Sequence, residues 1–240
     1  MSIQQFPAAG PARFDAYADD YADAVNRSIG FLGVKMDYFT RVKADYLIDV
    51  LTAEFGDIKK IAMLDVGCGV GNSHRRLSAQ LGSLSGTDIS APCLLQAAAD
   101  NPACTYKTYD GARLPWGDSS FDVAMTTCVM HHVPPSQWPA FVAEMARVVR
   151  PLGLVIVIEH NPLNPLTRRA VSSCAFDDDA VLLSQRRTRA LLRNAGLARV
   201  QSRTILSIPP IGPWSRSVDL VLGRLCLGAQ YIARGTVAQP

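Results

Sequence analysis

The sequence predicts an α/β protein built on a parallel sheet, and three observations carry that prediction. The largely apolar run at residues 121–129 and the aliphatic run at 154–159 lack polar alternation, as strands buried on both faces do. Stretches of helical periodicity separate these runs, the rhythm of strand and crossover helix. The first run, residues 61–66, is followed by glycines at 67, 69 and 71, the signature of a strand turning tightly into a helix.

Taken in order, residues 1–12, with Pro7, Gly10 and Pro11, read as a flexible N-terminus. Residues 13–55 read as helical. Phe14, Tyr17 and Tyr21 recur at intervals of three and four, as do Tyr38, Val42, Tyr46, Leu47 and Val50, while Gly30 and Gly33 divide the region into at least two helices. After the strand at 61–66 and its glycine loop, a helix is predicted over 72–80, with His74 on its surface. A second strand over 84–89 brings Asp88 to its end. Ser90 caps a helix over 90–99 that takes Pro92 in its first turn, where the missing amide hydrogen costs nothing. A third strand spans 105–109, a fourth 121–129, a helix 135–150 and a fifth strand 154–159. Residues 161–176 contain two Asn-Pro turns and read as the start of an inserted loop over 161–187. Asp177, Asp178 and Asp179 are expected to cap a helical stretch, and Ser184 another that runs to Asn194. Residues 198–208 are strand-like, Pro209, Pro210 and Pro213 make a stiff crossing, residues 218–227 are amphipathic, and 229–236 return as an antiparallel edge strand.

At 240 residues one core suffices, and residues 56–240 are read as a single domain. The net charge of +3, with no run of five like charges, gives no footprint for nucleic acid. The six cysteines include no C-x-x-C pair and read as reduced thiols, and no metal-ligand set is read from the spacing. No apolar run approaches the ~20 residues of a membrane span, so a cytoplasmic protein is expected. A homodimer is compatible with the sequence.

The chemistry concentrates at strand ends, because the crevice of an open parallel sheet lies there. Asp88 lies about 20 residues beyond the glycines, where a nucleotide-binding unit places an acid on ribose hydroxyls. Asp65 precedes the first glycine, where a carboxylate repels phosphate and suits an ammonium group instead. With LDVGCGVG over 64–71 and Asp88 downstream, the sequence resembles the class I S-adenosylmethionine-dependent methyltransferases.

That resemblance covers the chain from about residue 61 onward and implies a Rossmann-like, seven-stranded, mostly parallel sheet with helices on both faces and an antiparallel last strand. It implies S-adenosylmethionine as cofactor and S-adenosylhomocysteine as product. Asp65, Gly67, Cys68, Gly69 and Gly71 would hold the methionine moiety, Asp88 the ribose, and Ile89 one face of adenine. Asp110, Gly111 and Ala112 would meet the adenine amino group, with Thr127 and Cys128 beneath the cofactor. Residues 13–55 would form a helical lid to which Tyr21 contributes, although Ala22 follows where the family pattern has an acid. His131 and His132 would lie near the acceptor pocket, one lining it and the other a buried, satisfied ring. His132 is the candidate general base, since imidazole titrates near neutrality. Glu159, His160 and Asn161, polar after an aliphatic run, form either an acceptor site or a loop anchor. The expected activity is methyl transfer to a small or carrier-linked molecule. The same motifs would serve aminocarboxypropyl transfer, cyclisation of the cofactor, or a catalytically silent cofactor-binding partner protein.

Overall fold

The computed structural model describes residues 21–174, 177–208 and 213–239. Seven strands form one sheet: β1 (Ala62–Val66), β2 (Ser83–Asp88), β3 (Thr105–Thr108), β4 (Phe121–Thr127), β5 (Val149–His160), β6 (Leu197–Ile205) and β7 (Gln230–Val237), in the order β3-β2-β1-β4-β5-β7-β6. β1 to β5 run parallel, and β7 lies antiparallel between β5 and β6.

The aliphatic runs are buried on both faces. Leu64, Val66, Ala124, Val155 and Val157 pack on one side with Trp138, Phe141, Val142 and Met145 of α5 (Trp138–Arg147) and Leu191 and Leu192 of α7 (Gln185–Asn194). Met63, Val123, Met125, Ile156 and Ile158 point the other way, against Leu47, Val50 and Leu51 of α2 (Met36–Phe55) and Leu77 of α3 (His74–Ser78). Successive residues therefore feed two opposite cores, as the period-two geometry of a strand requires. The remaining helices are α1 (Tyr21–Ile29), α4 (Ala91–Asp100), α6 (Pro165–Ser172) and α8 (Pro213–Leu222). Among the described residues no helix is long and apolar enough to cross a membrane.

Local signals hold where the side chain itself makes the bond. Ser90 accepts from Cys93 N at the start of α4 and Ser184 from Arg187 N at the start of α7. The structure corrects four expectations. The helix predicted over 135–150 stops at Arg147, because Val149 pairs with Phe121 and already belongs to β5. Asp177 to Asp179 cap no helix: Ala180 N donates to Asp177 O and Val181 N to His131 O, which holds the chain extended toward the sheet. β7 is interior, bonded on both sides, and β6 is the edge. His74 is fully buried, since α3 is a single short helix whose first residue turns under the glycine loop. The readings placed on residues 1–20, including Phe14 and Tyr17, and on Pro209 and Pro210 lie outside the described residues, as does the side chain of Tyr21.

Candidate functional site

A cavity of about 1040 Å³ opens at the carboxyl ends of β1, β2, β4 and β5, roofed by α1, α2 and α6. Ligand pockets commonly measure ~300–1,000 Å³, so the cavity stands at the upper end of that range.

Its first wall is the glycine loop. Gly67 N and Cys68 N both donate to Thr87 O, stitching the loop to β2. Gly67 has φ +77, and a Cβ there would sit 2.6 Å from a Val129 methyl, so the close approach of two loops excludes any side chain. Asp88 takes two amides: Oδ2 accepts from Gly69 N at 2.8 Å and Oδ1 from Ser90 N at 2.9 Å. Burial outweighs these bonds and pushes its carboxyl above the usual range. Asp110 is exposed at the rim; Oδ1 accepts from Ala112 N and Arg113 N, which holds its carboxyl below the usual range. Ile89, Gly111, Ala112, Thr127 and Cys128 complete this side. Cys128 has φ +55, a left-handed strain for a cysteine, fixed by its N–H donating to Ile158 O.

Asp65 also lines the cavity, with a partner the sequence reading had placed elsewhere. Its Oδ2 lies 3.0 Å from His74 Nε2, and His74 Nδ1 lies 2.7 Å from the Tyr106 hydroxyl. Burial alone would push the His74 imidazolium down; the hydrogen bond and charge of Asp65 overcome this and raise it to about 9. Asp65 Oδ1 is buried with no hydrogen-bond partner among the described residues. An ammonium group would satisfy that oxygen, so the donor set fits an amino-acid moiety.

The opposite wall is a histidine cluster. His131 Nδ1 lies 2.8 Å from Glu159 Oε2, and the backbone N–H groups of His131 and His160 also donate to this carboxylate. Burial would raise the Glu159 carboxyl, yet the His131 charge and hydrogen bond drive it down to about 2, and His131 is held well above its ordinary value in return. His132 and His160 are each pushed down to about 4, by burial first and by the His131 charge second. His160 Nδ1 lies 3.3 Å from Gln230 Nε2, which also reaches Cys128 Sγ at 3.4 Å.

Fourteen of the site residues singled out from the sequence therefore sit on one cavity: Asp65, Gly67, Cys68, Gly69, Asp88, Ile89, Asp110, Gly111, Ala112, Thr127, Cys128, His131, His132 and His160; both histidines of the pair line it, where only one was expected to, because they share a single short helical turn at its wall. Gly71 lies behind the loop, against His74 and Tyr106. Glu159 is fully buried behind His131. Asn161 spends its amide on the fold, donating to Cys226 O and Gly228 O and accepting from Leu163 N. Sequence reasoning missed Lys43, Asp177 and Gln230 on the wall; it placed residues 13–55 and 161–176 over the pocket without naming the side chains that line it there, Val25, Ile29, Met36, Phe39, Leu166 and Val171. Those side chains come from elements far apart in the chain, and no local pattern links them.

The sequence model of a family described as a methyltransferase domain matches residues 63–153. A ubiquinone biosynthesis O-methyltransferase of Rickettsia felis is 28% identical over 125 residues, covering 48% of this chain and 48% of the relative. A malonyl-[acyl-carrier protein] O-methyltransferase of Pseudescherichia vulneris is 32% identical over 111 residues, covering 45% and 42%. The matched stretch thus spans about half the length of these curated relatives. A solved structure from Thermotoga maritima, described as an S-adenosylmethionine-dependent methyltransferase and possible histamine N-methyltransferase, superposes with a TM-score of 0.66 at 17% identity, covering 94% of this chain and 99% of that one. This last likeness concerns the fold alone.

Proposed function

The chain belongs to the class I S-adenosylmethionine-dependent methyltransferase superfamily, and from that premise we propose that it transfers a methyl group to a small or carrier-linked acceptor with an apolar body. One observation carries the reading: acids at three successive strand ends, Asp65, Asp88 and Asp110, line one cavity with the glycine loop. Asp65 and residues 67–69 would hold the methionine portion, with Gly71 keeping the loop close to its helix. Asp88 would hold the ribose, Ile89, Asp110, Gly111 and Ala112 the adenine, and Thr127 and Cys128 the floor. The cofactor, when bound, supplies a methyl group already activated on a sulfonium. What the protein adds is alignment and exclusion of water, worth several kcal/mol when reacting groups are held in contact.

The elements serve that purpose. α1 and α6 close over the cavity from two sides, and their facing apolar residues suit the body of the acceptor. This gives residues 21–55 the role of a lid. His132 and His160 line the cavity and are uncharged near neutrality, so they add no charge of their own to that of His131. Glu159 acts through His131 as a positioning residue, and Asn161 anchors the loop that bears α6.

Calorimetry with S-adenosylhomocysteine tests the assignment. Asp88→Ala is expected to weaken binding by more than ~1 kcal/mol, the scale of hydrogen bonds to a charged group. Wild-type affinity in the variant would remove Asp88 from the site. Mass spectrometry after incubation with S-adenosylmethionine and a metabolite extract should then find S-adenosylhomocysteine together with a methyl gain on another molecule. Methylthioadenosine in its place would mean that a different carbon is attacked.

A further inference from the structure

The histidine pair beyond β4 meets an acid that arrives from a different part of the chain. His131 and His132 share one short helical turn, Met130–His132. Asp177 follows α6, and its position is fixed on both sides: Asp177 N donates to Cys174 O, and Val181 N donates to His131 O at 2.8 Å. These bonds bring Asp177 Oδ1 to 3.3 Å from His132 Nε2 and 3.6 Å from His131 Nε2. All three donor atoms lie within 4.8 Å of one another, and all three residues line the cavity.

A proton can join that oxygen to one imidazole at a time, and 3.6 Å is too long for a good hydrogen bond to His131. A cation engages all three donors together. With bonds of roughly 2.0–2.2 Å and tetrahedral angles, ligand atoms sit about 3.3–3.6 Å apart. Two of the separations already have that value. Asp177 Oδ1 is moreover buried without a hydrogen-bond partner of ordinary geometry among the described residues. Behind the group, Glu159 Oε2 lies 2.8 Å from His131 Nδ1. A carboxylate in that place keeps a proton on Nδ1, so that Nε2 is the nitrogen a metal ion would take in exchange for its proton, the arrangement that supports metal-ligating histidines.

We propose that His131, His132 and Asp177 form a site for a divalent first-row metal ion such as zinc, with its fourth position open to the cavity. Two imidazoles and one carboxylate suit zinc, cobalt, iron(II) or manganese better than calcium or magnesium, which prefer oxygen alone. Three protein ligands with one open position is the pattern of a catalytic rather than a structural zinc site. Its role rests on the methyl-transfer reading: an acceptor oxygen in the open position would lose its proton at a lower pH, which strengthens it as a nucleophile. The site itself stands independently of that reading.

The test is titration of the full chain, stripped with a chelator, with cobalt(II) alone, followed by visible absorption. One equivalent per chain should produce a saturable band of low-symmetry cobalt with nitrogen and oxygen ligands. Asp177→Asn and His132→Gln should each weaken cobalt binding at least about tenfold, with circular dichroism verifying that both are folded. Glu159→Gln should weaken it by about 10–100-fold, as loss of a supporting carboxylate does. A thiolate charge-transfer band would put the metal on cysteine, and no saturable band, or unchanged affinity in a folded Asp177→Asn, would equally overturn the proposal. S-adenosylhomocysteine calorimetry on the same preparation reads the cofactor assignment separately, so failure of one is distinguishable from failure of the other.

Discussion

At the scale of single residues, His74 couples the glycine loop to the stability of the whole fold. Its imidazolium is raised to about 9 against an unfolded value near 6.5. The stabilisation from its interactions with Asp65 and Cys104 is therefore complete below about pH 6.5 and is lost as pH rises through about 9, on the order of 3 kcal/mol. Urea unfolding at pH 6 and at pH 9.5 should show that decline in the wild type and a flatter profile in His74→Gln; parallel profiles would mean that the ring is neutral in the fold. Sequence reasoning found Asp65 because a glycine loop advertises the acid before it. It misplaced His74 because burial there depends on Tyr106 and Asn101, which pack against the loop from β3 and the end of α4. The histidine cluster divides in the same way: His131 and His132 stand side by side in the sequence, whereas Asp177 reaches them only through tertiary hydrogen bonds.

At the scale of elements, one cap both starts the helix α6 of the roof and ties it to the sheet. Asn164 accepts from Thr167 N to start α6, and its amide donates to Leu227 O at 2.8 Å, tying the helix to the turn before β7. Asn164→Ala is expected to cost about 1 kcal/mol from the cap, seen as a lower urea midpoint with an unchanged slope. The caps at Ser90 and Ser184 were legible in the sequence, whereas Asn164 was read only as an Asn-Pro turn. Element ends decided by pairing were not legible. β5 begins at Val149 since β4 offers it a partner at Phe121, and the register shifts before Val123 meets Leu154. In that interruption Leu152 takes φ +67, and Gly153 is pressed where a Cβ would lie 2.4 Å from Asp122 O. A reading that begins the strand at residue 154 sees the aliphatic run and misses its irregular start.

At the scale of the whole molecule, the parallel sheet, the crevice at its strand ends and the segments that cover it followed from the sequence, while the interior place of β7 and the side chains that line the cover did not. The acidic strand ends and the apolar side chains of α1, α2 and α6 line one 1040 Å³ space, and under the proposed function they hold different ligands, the cofactor and the acceptor. They should therefore fill independently: a fluorescent apolar probe is expected to bind with micromolar affinity and to remain bound when S-adenosylhomocysteine is added at saturation. Full displacement would mean that the two ligands compete for one volume. The placement of β7 has a further consequence, for the chain as it is being made. β5 bonds to β7, and β6 reaches the sheet only through β7. The roughly 70 residues between His160 and Gln230 must leave the ribosome first, on the order of 4–14 s at ~5–20 residues per second. Throughout that interval β5 has one naked edge, so nascent-chain chaperones have a defined segment to guard and a defined moment at which to release it.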